Sequence, residues 1–144
     1  MLKVLVVDDS MIIRKQIANV FEELGHQVIA EAQDGKSAVS IFREKKPDLV
    51  TMDITMPDMN GIEAVKIIKS KEPEVKILMV TSHGQEKMVI ESIKAGAKGY
   101  ILKPATLKKV QEAVDKVFPE YAKAREVRKR ERKELDEEIS HLED

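Results

Sequence analysis

Five short apolar runs, rich in β-branched residues, recur along the chain at a steady interval: KVLVV at 3–7, QVIAE at 27–31, LVTM at 49–52, KILMV at 76–80 and GYIL at 99–102. A segment of helical period follows each run. This alternation constrains the fold more than any other feature, because parallel strands need a crossover segment between them. The third, fourth and fifth runs have little polar interruption, as strands covered on both faces do. Ile13, Ile17, Val20, Phe21 and Leu24 share one helical face, and Gly25 follows where a C-cap belongs. Ala38, Ile41 and Phe42 mark a second helix, ended before Pro47. Ile62, Val65 and Ile68 mark a third, ended before Pro73. Val89, Ile90 and Ile93 mark a fourth, closed by AGA at 95–97, and Leu107, Val110, Val114 and Val117 mark a fifth. The order predicts an α/β fold: an open, doubly wound parallel sheet with helices on both faces and right-handed crossovers.

Pro119 ends that pattern, since its ring and missing N–H favour the start of a new helix over continuation of the old one. The expected organisation is one domain over 1–118 and a charged helical extension over 119–144. Lys and Arg fill 123–133, and acids dominate 134–144. Leu135, Ile139 and Leu142 have a/d spacing, but one heptad does not make a coiled coil. The basic run reads as a solvated helix face. Net charge is −1, and with two Tyr, three Phe and no Trp the chain offers no stacking platform for bases. No apolar run approaches membrane-spanning length, and the first strand begins at Leu2, which leaves no room for a targeting segment. The absence of cysteine excludes disulfides, thiolate nucleophiles and zinc–thiolate sites and fits a cytoplasmic protein.

In open α/β sheets ligands sit beyond the carboxyl ends of the strands. Asp8, Asp9 and Ser10 follow the first strand, and Asp53, with Thr55 two residues on, follows the third. Thr81, Ser82 and His83 follow the fourth, and Lys103 and Pro104 follow the fifth. Taken singly, Asp8 or Asp9 is a helix cap, a job Ser10 can also fill, and Lys103 is a solvated lysine. Asp58, Asn60 and Gly61 read as turn formers, and His26 and His141 as surface residues. Taken together, three carboxylates on one rim repel unless a cation neutralises them. Their hard oxygens suit Mg²⁺, which binds through one or two carboxylates and keeps positions for phosphate oxygens. Asp53 then has the chemistry of a nucleophile toward phosphorus, with Lys103 opposite and the Thr81 hydroxyl as a hydrogen-bond donor.

The ordered set VVDDS at 6–10, MDITMPDMNG at 52–61, MVTS at 79–82 and YILKP at 100–104 resembles the receiver domain of two-component response regulators, in particular the single-domain chemotaxis type. The resemblance covers about residues 1–118. It implies a flavodoxin-like sheet of order 2-1-3-4-5 and a phosphoryl group accepted on Asp53 from a sensor histidine kinase. Asp9, Asp53 and the backbone carbonyl of Thr55 would bind Mg²⁺, with Asp8 assisting through water. Thr81 and Lys103 would read the phosphoryl group, Tyr100 would turn inward as Thr81 moves, and Lys103–Pro104 would be a cis peptide. A downstream protein would be engaged through the face made by the fourth helix, fifth strand and fifth helix. That face, or the C-terminal helix, is also a place for a homodimer. Two departures stand out: Ala105 replaces the family's usual aromatic, and Thr55 and His83 occupy positions that set phosphate lifetime.

Two other functions fit parts of the sequence. A Mg²⁺-dependent aspartate-nucleophile phosphatase also works at a strand end, but it wants a second acid where this chain has Thr55, and it needs a cap domain. A flavin or nucleotide binder needs a Gly- or Ser/Thr-rich phosphate loop after the first strand, and DDSMI would repel phosphate.

Overall fold

The computed structural model describes residues 1–82 and 84–143. Five strands, β1 (Lys3–Val7), β2 (Gln27–Ala32), β3 (Leu49–Met52), β4 (Lys76–Thr81) and β5 (Gly99–Leu102), alternate with five helices. These are α1 (Met11–Glu23), α2 (Gly35–Lys45), α3 (Gly61–Lys71), α4 (Glu86–Ala95) and α5 (Leu107–Val117), and α6 (Pro119–Glu143) follows. The strands form one parallel sheet in the order β2-β1-β3-β4-β5. The chain forms two compact units, Met1–Ala113 and Val114–Asp144.

Both faces of the first unit's sheet are covered, which is why the central strands carry no polar alternation. Leu5 and Val7 pack with Phe42, Val50, Met52, Val65, Ile68, Ile77 and Met79 in one cluster. Their neighbours Val4 and Val6 point to the opposite face and are equally buried, as are Ile17 and Phe21 of α1. Full burial of each such side chain stabilises the fold by about 1.5–3 kcal/mol before entropy is counted.

The helix ends follow from local chemistry. Ser10 caps α1, its side chain accepting from Ile13 N–H, so neither Asp8 nor Asp9 is spent on that job. Asp34 caps α2 through Ser37 N–H, and Asn60, read in the sequence as a turn former, caps α3 through Glu63 N–H. Asp58 turns the chain at φ 67°, and Gly25 and Gly96 leave α1 and α4 with positive φ. Pro119 opens α6, whose described residues are all at least partly exposed.

Two expectations need correction. His26 is buried, not a surface residue: its Nδ1 accepts the Leu2 N–H at 3.1 Å, and its ring lies 6.4 Å from that of Phe21. In α4, Ile90 and Ile93 are exposed; its buried residue is Ser92, and Met88 and Ala95 pack partly buried against the core. The Ser92 hydroxyl donates to the Met88 carbonyl at 2.8 Å, which removes the cost of burying it.

Candidate functional site

Backbone hydrogen bonds that continue the sheet beyond its strands hold the rim residues in place. Asp8 N–H donates to Ala32 O at 3.0 Å, Asp53 N–H to Val7 O at 3.1 Å and Lys103 N–H to Thr81 O at 2.9 Å. The backbones of Asp8, Asp53 and Lys103 are therefore tied to neighbouring strands rather than carried on free loops. Arg14 adds a tie from α1, donating to the Asp8 carbonyl at 2.7 Å while pairing with Glu31 at 3.2 Å. The Lys103–Pro104 peptide is cis.

Asp8, Asp9 and Asp53 come together, each offering a carboxylate oxygen within 4.8 Å of the other two. Asp8 and Asp53 are buried and Asp9 is exposed, so the cluster opens to solvent on one side. Lys103 enters from β5, with Nζ 2.6 Å from Asp8 Oδ2 and 3.3 Å from Asp53 Oδ2. The other oxygen of Asp8 accepts the Ser10 N–H at 2.9 Å.

The electrostatics follow from that crowding. Burial pushes the Asp53 carboxyl above its ordinary value, and the charge of Asp8 adds to the shift. Lys103 and a hydrogen bond from Thr81 pull the other way without reversing it. Burial also works against the Lys103 ammonium, but its hydrogen bond to Asp8 and the charges of Asp53 and Asp8 outweigh this and hold its pKa high. Thr81 is fully buried at the end of β4. Tyr100 is half-buried on β5, its phenol pushed up by burial and by the charge of Asp53. Thr55 is exposed in the loop after Asp53, and His83 lies outside the described residues.

The donor set tests whether Mg²⁺ fits. Three hard carboxylates converge and no nitrogen or sulfur ligand joins them among the described residues, while the nearby cation Lys103 reaches only two of the three. That is a suitable environment for a small divalent cation.

The sequence gives no local sign of how close Gly61 lies to the site. A Cβ at that position would meet the Asp53 carbonyl oxygen at 1.9 Å. Gly61 N–H also donates to Ile54 O at 2.8 Å, folding the loop back on itself. Only a residue without a side chain permits this approach.

Residues 4–115 match the response regulator receiver domain family model. The chain belongs to the response regulator receiver family. It is 48% identical over 115 residues to the chemotaxis protein CheY of Thermotoga maritima, covering 80% of this chain and 96% of that one. The chemotaxis protein CheY of Bacillus subtilis is 46% identical, with 81% and 97% covered. Among solved structures, CheY in a CheX–CheY–BeF₃–Mg complex from Borrelia burgdorferi superposes with a TM-score of 0.78 at 36% identity, covering 81% of this chain and 88% of that one. The protein is thus a CheY-type receiver domain, a signalling module of two-component systems. The phosphatase reading is not favoured.

No helix among the described residues is long and apolar enough to cross a membrane.

Proposed function

We propose that Asp53 is the phosphoryl acceptor of this receiver, and that Mg²⁺ held by Asp8, Asp9, Asp53 and the Thr55 carbonyl is required for the reaction. The observation that carries the reading is the convergence of three carboxylates within 4.8 Å beside Lys103. The Mg²⁺ in the Borrelia CheY complex supports it. When bound, Mg²⁺ neutralises charge on the transferring phosphoryl group.

The chain's own residues do the rest. An Asp53 carboxylate oxygen attacks the phosphorus of a sensor kinase's phosphohistidine, the P–N bond breaks, and the imidazole leaves with its electron pair. Lys103 keeps a positive charge beside the new acyl phosphate, and the Thr81 hydroxyl donates to a phosphoryl oxygen. Phosphorylation adds about −1.5 to −2 charges, which biases Thr81 and Tyr100 toward a second arrangement. A downstream protein reads that change on the face of α4, β5 and the start of α5, where Ile90, Ile93, Leu102 and Leu107 are exposed. In this reading residues 1–118 form the receiver, which works in the cytoplasm without membrane or nucleic acid. Residues 119–144 form the extension. The chain catalyses only its own phosphorylation and dephosphorylation.

Incubation with acetyl phosphate and Mg²⁺ is expected to give one covalent phosphate per chain, lost slowly. A chelator abolishes the uptake. Sustained hydrolysis of a general phosphomonoester would instead support the phosphatase.

A further inference from the structure

We propose that α6 pairs antiparallel with α6 of a second copy of this chain. The helix lies beyond the family match, which ends at residue 115, and none of its described residues is buried. Its charge is divided by position. Seven of residues 123–133 are Lys or Arg against two Glu, whereas residues 134–143 hold five acids and no Lys or Arg.

Two features of that division are unfavourable in a lone helix, and a third is only weakly favourable. The basic half stands at the positive end of the helix dipole and the acidic half at the negative end. Like charges stand four residues apart at Arg128 and Arg132, Lys129 and Lys133, and Glu134 and Glu138. The opposite-charge pairs across the junction, Arg130–Glu134, Arg132–Asp136 and Lys133–Glu137, all place the base first, which is the weaker orientation. A second helix running the other way sets basic half against acidic half and opposes the two dipoles. A parallel partner would set like charges against like.

An apolar stripe shares the geometry. At about 100° per residue, Tyr121, Ala124, Leu135, Ile139 and Leu142 fall on one face of α6. The last three are exposed by 55%, 45% and 85%. With a two-fold axis between residues 131 and 132, Ile139 of one copy meets the small Ala124 of the other. Leu142 then meets Tyr121, and Leu135 lies along the aliphatic stem of Arg128. The overlap is about 33 Å long at 1.5 Å per residue. Charge complementarity chooses the occupant; the stripe fixes the register.

The test is light scattering after size exclusion on the full chain over a range of concentrations. A dimer is expected, weakened by salt. The acid-shifted variant R128E/K129E/R132E and the base-shifted variant E134K/E137K/E138K should each raise the dimer dissociation constant about tenfold or more, and an equal mixture of the two should restore it. Because the chain has no cysteine, direction is read by single replacements. Oxidation should cross-link Ala124→Cys to Ile139→Cys in a mixture but leave Ala124→Cys alone uncoupled. A wild type that is monomeric throughout would overturn the proposal. So would a dimer indifferent to the charge reversals, or a 124-to-124 cross-link.

Discussion

The ammonium of Lys103 stands nearer to Asp8 than to Asp53, at 2.6 Å against 3.3 Å. It therefore holds the two buried carboxylates together from the β5 side while the exposed Asp9 is left to solvent or metal. Removing one partner from such a buried set leaves uncompensated charge. Lys103→Met should lower stability in chelator by about 3 kcal/mol in urea denaturation. Adding Asp53→Asn to Lys103→Met should recover part of that loss, because it removes one of the charges left without a cation. A loss below a few tenths of a kcal/mol would mean the cluster is already neutralised by other means.

Gly61 limits the site sterically. A methyl group there would overlap the Asp53 carbonyl, so either β3 or α3 must shift. Gly61→Ala should cost about 1–3 kcal/mol or more and slow phosphate uptake, although every side chain of the site is intact. Gly84→Ala is the control, since its Cβ would meet nothing nearer than a Leu102 methyl at 3.2 Å. Comparable effects of the two changes would count against a specific role for Gly61.

Thr51 is fully buried in β3, and its hydroxyl has no hydrogen-bond partner among the described residues. Thr51→Val keeps the shape and removes an unsatisfied polar group, so it should stabilise the protein by about 1 kcal/mol. The measurement is the midpoint of denaturant unfolding at unchanged slope. A destabilised variant would show that the hydroxyl is satisfied in solution.

His26 gives the fold an acid sensitivity. Burial, and then the charge of the N-terminal ammonium, lower its pKa below 6.5. Below that value the unfolded chain binds a proton that the folded chain refuses. The stability His26 contributes is thus complete above 6.5 and is lost as pH falls toward the lowered folded value. Unfolding followed at pH 7.5 and 5.5 should show a larger loss for wild type than for His26→Gln. Equal losses would assign the acid sensitivity to the carboxylates.

Strand positions were legible because apolar runs without polar breaks have one use in a sheet covered on both faces. The rim residues were legible because their types, taken in order, have few uses in common. Three features were not. Ser92 is buried because a backbone carbonyl satisfies its hydroxyl, and a hydrophobic period cannot register that. His26 finds its partner in Leu2, at the far end of the first βα unit. Gly61 owes its importance to a backbone contact eight residues back, with no signature in the residue itself. In each case the deciding partner is a main-chain atom.

Asp53 is the residue on which the phosphoryl group is expected. Intact-mass measurement after Mg²⁺-dependent acetyl phosphate labelling of wild type and Asp53→Asn in parallel decides the point. One phosphate on wild type and none on the variant is the predicted result. Equal uptake by the two would contradict it.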